Sequence, residues 1–168
     1  YIDLMDERLK GTQIITGLKE DLEKRKRLVP GERAPDFTQD DPEGTAVSLY
    51  DMLGSGLLLL DFWASWCGPC REAYTGLGTV YDKYHDRGFD ILSVSLDRDR
   101  DDWLGAIEDD RLEWTHVSDL RYWNNEVARL YAVDAIPANF LLDAEGMIVA
   151  VNQGAGELER TLAGILGK

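Results

Sequence analysis

Cys67 and Cys70 are the only two cysteines in the 168-residue chain, and they stand three apart as Cys67-Gly68-Pro69-Cys70. On a helix that spacing places them one turn apart, close enough to close a small disulfide ring. An apolar run at 57–63 precedes the pair and a helix-forming stretch at 71–87 follows it, so Cys67 should open a helix. Free backbone N–H groups and the positive dipole end at a helix N-terminus stabilise a thiolate. In such motifs the thiol pKa falls from about 8.5, often to about 7 or below. The thiolate is the species that attacks a disulfide, which makes Cys67 the expected nucleophile. Pro69 sits in the first turn, where a missing N–H costs little. Trp66 supplies a lid and an apolar contact beside the pair.

A carboxylate stands behind these thiols. Asp61 lies six residues before Cys67, inside the apolar run. Burial there disfavours the charged form and should raise its pKa. Such an acid can take the proton from the second thiol as that thiol attacks. The competing reading is a strand-end Asp facing water. Ile136-Pro137 precedes an apolar stretch. Proline is permitted at a strand's first position, and by base rate its peptide bond is trans. Zinc needs four ligands, and one cysteine pair supplies half of them. His85 and His116 form no ligand-spaced pair and read as surface or half-buried residues.

These residues need a scaffold, and the pattern of the chain describes one. Glycines and a serine at 54–56 bound the apolar run 57–63, the pattern of a strand buried on both faces. Residues 90–96 read as the next buried strand, 99–109 as a polar helix, 115–117 as a short strand and 123–131 as a helix. A hairpin at 139–142 and 147–150, turning through Asp143-Ala144-Glu145-Gly146, precedes a last helix at 157–166. Upstream, 35–39 and 45–49 read as two arms of another hairpin around Asp41-Pro42-Glu43-Gly44. Strand–helix–strand alternation ending in a hairpin and a helix implies an α/β domain with a central mixed sheet flanked by helices.

Residues 1–29 have a different character. Ile2, Met5 and Leu9 share one helical face, and Ile15, Leu18, Leu22 and Val29 continue at helical spacing after a phase slip. Lys24-Arg25-Lys26-Arg27 suits the negative pole of a helix that Pro30-Gly31 stops. The expected division is therefore a helical linker or arm at 1–30 and a folded domain at 31–168. The chain starts at Tyr1 without a signal-like apolar segment, and reads as a processed or cloned fragment of something longer. Residues 1–30 carry a net charge of +1, whereas 31–168 carry −15. So negative a body repels phosphate backbones, which argues against a nucleic-acid partner. The longest apolar run is far too short to cross a bilayer.

The stretch Phe62-Trp63-Ala64-Ser65-Trp66-Cys67-Gly68-Pro69-Cys70 resembles the thioredoxin signature, with Asp61 at its buried acid and Ile136-Pro137 at its cis-proline loop. Three further features are similar to the exported redoxin branch typified by TlpA and ResA. They are the entry Ala34-Pro35-Asp36-Phe37, the insert after 93–97, and the ending 140–146. The resemblance spans about residues 31–168. It implies a thioredoxin-like fold, a thiol–disulfide oxidoreductase with no cofactor, and a redox disulfide between Cys67 and Cys70. Cys67 would attack and Cys70 would resolve. Trp66, Gly68, Pro69, Ile136 and Pro137 would line the substrate groove, with Pro137 cis against the disulfide. Asp97 falls where the cytochrome-maturation branch has an active-site acid, usually Glu, while the Asp61 position there is often not acidic. A carboxylate at both positions leaves open which acid serves Cys70. Ala138 replaces the usual Thr after the proline. The resemblance also implies protein disulfide or dithiol substrates, an upstream electron donor, and export to a bacterial periplasm with a membrane tether outside this stretch.

Two other functions compete on the residues alone. Peroxiredoxins share the fold and the Ala-Pro-Asp-Phe entry, but place Thr three residues before the reactive cysteine, where this chain has Ala64. A cysteine pair can also hold copper(I), which favours soft thiolates. No methionine or third cysteine stands near the pair to complete such a site.

Overall fold

The computed structural model describes residues 2–54 and 56–167, without the side chains of 2–7, 9 and 10. The expected apolar face of Ile2, Met5 and Leu9 therefore lies outside the described residues. Helix α1 spans Ile2–Lys26 and ends on Lys24, Arg25 and Lys26, as its dipole favours. Every side chain from 12 to 27 is exposed, and the chain enters the core only at Leu28.

The hairpin of β1 (Thr38–Asp40) and β2 (Ala46–Ser48) pairs antiparallel through the turn at Asp41, whose carboxylate accepts from the N–H groups of Glu43 and Thr45. The Ala34-Pro35-Asp36-Phe37 entry has a physical account. Ala34 is fully buried, and its carbonyl accepts from the Tyr50 hydroxyl. Asp36 accepts from the Tyr50 N–H at the start of α2 (Leu49–Met52), and Pro35 accepts from the Tyr131 hydroxyl.

The central sheet has five strands in the order β5-β4-β3-β6-β7. They are β3 (Leu57–Trp63), β4 (Phe89–Ser95), β5 (Thr115–Val117), β6 (Ala138–Leu142) and β7 (Ile148–Val151). β3, β4 and β5 run parallel, while β6 pairs antiparallel with β3 and β7 with β6, so the sheet is mixed as expected. Every residue of β3 is buried. Alternation sends Phe62 to one face, against Tyr131 and Phe140, and Asp61 and Trp63 to the other, against Tyr74. The strand is entered at Gly56, where a Cβ would lie 1.7 Å from the Gly88 carbonyl oxygen. Only glycine fits there.

The remaining helices are α3 (Gly68–Tyr84), α4 (Arg100–Asp109), α5 (Glu126–Leu130) and α6 (Ala155–Leu166). Their bounds shift from the sequence expectation, by one or two residues at the starts of α4 and α6 and by more in α3 and α5. α3 begins at Gly68 with Cys67 as its N-cap, in line with a cysteine that opens a helix, but ends at Tyr84 rather than 87, where a 3-10 turn, His85–Arg87, takes over. The helix expected over 123–131 is a 3-10 turn, Tyr122–Asn124, followed by a separate α5. The break lies at Asn125, whose side chain accepts from Val127 N–H and Ala128 N–H and so starts a new helix. His116 also departs from expectation. It is buried, with its ring between Trp63 and Trp114, and burial lowers its pKa to about 4.

Candidate redox site

β3 delivers the chain to the cysteine pair at the C-terminal edge of the sheet, where strand–helix turns of α/β proteins carry function. Cys67 and Cys70 are joined by a disulfide, with their Cα atoms 5.3 Å apart. The Cys67 sulfur also accepts from the Cys70 N–H at 3.3 Å, so it occupies the place of a capping oxygen at the N-terminus of α3. Pro69 lies in that first turn, as its missing N–H favours. Both cysteines are buried, Cys67 being 6% exposed and Cys70 1%. Trp66 beside them is 48% exposed. The Ile136–Pro137 peptide bond is cis. Base rate favours trans, and cis is the form that the resemblance implies.

Asp61 is 4% exposed, so it is not a strand-end residue facing water. Its carboxylate accepts from the Tyr74 hydroxyl at 2.5 Å and from the Ser93 hydroxyl at 3.4 Å. The Ser93 oxygen in turn accepts from Trp114 Nε1 at 2.8 Å. Desolvation pushes the Asp61 pKa from 3.8 up to about 7, and the two hydrogen bonds offset only part of the rise. Asp61, Cys70, Tyr74, Pro137, Asn139 and Gln153 line one cavity of about 160 Å³ behind the disulfide. A space of that size is large enough to hold water.

Asp97 is also buried, at 1% exposure, but its oxygens serve another purpose. They accept from Ser65 N–H at 3.0 Å, Ser65 Oγ at 2.5 Å and Ser95 Oγ at 2.6 Å. Arg71, paired with Asp110 at 2.7 Å, reaches the Ser65 carbonyl at 3.5 Å from the other side. Ser65 immediately precedes Trp66 and Cys67, so this network fixes the approach to the redox pair. Asp97 does not line the cavity shared by Asp61 and Cys70.

Sequence reasoning missed Tyr74, Ser93 and Trp114 around Asp61, and Ser65 and Ser95 around Asp97. Tyr74 had one available signal, since it lies one turn beyond Cys70 on α3. Trp114 had none, because its position depends on how the stretch after α4 folds back over Ser93. Among the described residues, no cluster of three or more His, Cys, Asp or Glu side chains is arranged to hold a metal ion.

A model of the AhpC/TSA family matches residues 30–151. The chain belongs to that family. Among its relatives is the thiol-disulfide oxidoreductase ResA of Oceanobacillus iheyensis, 30% identical over 151 residues, covering 88% of this chain and 75% of the relative. Among solved structures, the thioredoxin domain of a thiol-disulfide oxidoreductase from Bacteroides vulgatus superposes with a TM-score of 0.76 at 34% identity. That likeness covers 83% of this chain and 99% of the other. A thiol-disulfide oxidoreductase from Bacteroides fragilis is 37% identical with a TM-score of 0.70, over 78% of this chain and all of that one. The fold is thioredoxin-like. With Cys67 and Cys70 at bonding distance, the chain is an oxidoreductase with a dithiol–disulfide function.

Proposed function

We propose that this protein reduces disulfides in protein substrates. The observation that carries the reading is that Asp61 and Cys70 line one cavity. The Cys67 thiolate attacks a substrate disulfide, forming a mixed disulfide and releasing one substrate thiolate. Cys70 then attacks the Cys67 sulfur, closes the Cys67–Cys70 disulfide and releases the second substrate thiolate. Asp61 accepts the Cys70 proton at that step, for which a pKa of about 7 is well matched at neutral pH. Trp66, Gly68, Pro69, Ile136 and Pro137 form the groove that receives the substrate backbone. Residues 31–168 are the catalytic unit and 1–30 an arm, a division supported by the exposure of residues 12–27. An upstream dithiol donor re-reduces the pair. The resemblance to exported redoxins supports a periplasmic location with a tether outside this stretch, and no helix among the described residues is long and apolar enough to cross a membrane.

The test is the dithiol-driven reduction of a disulfide-bonded protein such as insulin. The expected result is turnover that Cys67→Ser abolishes. Catalytic hydrogen-peroxide consumption without disulfide reduction would overturn it in favour of a peroxidase.

Asp97 acts in this scheme as a positioning residue, through Ser65. Asp97→Ala leaves the Ser65 N–H unpaired and should cost about 1–3 kcal/mol of stability, the desolvation penalty of an orphaned donor. Asp97→Asn keeps one acceptor and should lose less. In single-turnover experiments neither variant should slow mixed-disulfide decay more than formation. A selective slowing of decay in Asp97→Asn would instead assign the base to Asp97.

A further inference from the structure

Trp66, Tyr122 and Trp123 gather into one aromatic cluster beside the disulfide. Ring centroids lie 5.5 Å apart for Trp66 and Tyr122, and 6.1 Å apart for Trp66 and Trp123 and for Tyr122 and Trp123. The Arg98 guanidinium stacks 4.2 Å from the Tyr122 centroid. Trp66 is exposed and the other two rings are half-buried, so all three keep surface in water.

The loop that presents Tyr122 and Trp123 is held rigidly. Leu120 and Tyr122 both have φ of 58°, a left-handed conformation that costs a non-glycine residue on the order of 1–3 kcal/mol. A polar network holds it in place. Ser118 Oγ accepts from Leu120 N–H, and the Asp119 carboxylate accepts from Arg121 N–H, Glu126 N–H and Asn125 Nδ2. The Asn125 amide, fully buried, also donates to Gln39 Oε1 and the Ser95 carbonyl. Strain of this kind persists only where surrounding contacts over-determine it.

We propose that this cluster is a docking platform for an aromatic side chain flanking the reactive cysteine of the substrate polypeptide. The proposal rests on the reduction of protein disulfides set out above. Any polypeptide that exchanges with Cys67 must cross residues 66 and 67, so the platform is continuous with the exchange site. Its rings are tilted by about 55° between Trp66 and its two neighbours, and Trp66 keeps about half of its surface exposed for offset or edge-on contact with another ring. Rigid aromatic surface of this kind, next to a stacked arginine, is the composition of interface anchors.

The test uses two peptides, each with one internal disulfide, identical except for Phe or Gly beside the attacked cysteine. Each turnover converts protein dithiol and peptide disulfide into protein disulfide and peptide dithiol, passing two electrons and two protons. The full chain should prefer the Phe peptide by about tenfold in kcat/KM, equivalent to about 1.4 kcal/mol. In a Tyr122→Ala, Trp123→Ala double variant that ratio should fall to about one, while Tyr122→Phe should preserve it. A ratio of about one in the unaltered chain, or a tenfold ratio that survives the double variant, would overturn the platform. Failure of the unaltered chain to reduce either peptide would instead overturn the proposed reduction itself.

Discussion

Cys70→Ser protein, reduced and mixed with a disulfide-bonded protein substrate, should accumulate a covalent adduct through Cys67 and lose turnover. Cys67 at the N-cap of α3 retains its attack, because the helix N-terminus and the Cys70 backbone N–H that it accepts from do not depend on the Cys70 side chain. What is lost is the second thiol, the only group one turn away that can displace the substrate. Steady-state reduction should fall by several orders of magnitude to the rate at which external thiols release the adduct. Non-reducing electrophoresis and intact-mass measurement read the outcome. The adduct should be absent from Cys67→Ser, which keeps only the more deeply buried cysteine. Equal capture by the two variants would show that either sulfur initiates exchange, and the assignment of roles would fail.

Asp61→Asn should change both stability and the second chemical step. With an ordinary pKa of 3.8 and a folded value of about 7, Asp61 binds a proton in the folded protein that it gives up on unfolding between those pH values. For an acid raised in this way the stability is full below about pH 3.8 and falls as pH rises to about 7. At 1.36 kcal/mol per pH unit the loss is about 4 kcal/mol. Asparagine does not titrate, and it can still accept from Tyr74. Urea unfolding should therefore give similar stabilities for both proteins near pH 4, and an Asp61→Asn protein more stable by about 4 kcal/mol at pH 8. A difference that does not vary with pH would show that Asp61 is not held neutral by burial. In single-turnover kinetics the same variant should slow mixed-disulfide decay by about 100-fold at pH 7, the lower end for general-base catalysis, and leave formation nearly unchanged. Decay in the unaltered protein should rise as pH passes through about 7 and level off above it.

The redox pair, its strand and its helix were legible in the sequence because their information is local. Seven consecutive residues of β3 are apolar save one, and a strand buried on both faces needs that pattern. The Cys-Gly-Pro-Cys spacing, between a buried strand and a helix-forming stretch, fits one helical turn. The terminal hairpin and the α6 helix were legible for the same reason, through turn residues and period. One boundary shifted where a side chain competes with the backbone. Asn125 divided one expected helix into a turn and a short helix.

The division of labour between the two acids was not local. Asp61 lies six residues before Cys67 and Asp97 27 residues after Cys70, and nothing in their residue types separates them. Tertiary structure decides, because Asp61 points from β3 to the α3 side of the sheet, where Tyr74 and the cavity with Cys70 lie. Asp97 leaves the end of β4 and spends its oxygens on Ser65 and Ser95. The burial of His116 and the gathering of Trp66, Tyr122 and Trp123 belong to the same class. Each depends on segments 20 or more residues apart meeting across the sheet. The sequence by itself determined the thiol chemistry and the frame that carries it, because helix turns, strand alternation and turn residues act over a few positions. Only the tertiary structure decided which buried acid faces Cys70 and which rings flank Cys67, because strand register and loop packing set the long-range distances on which both depend.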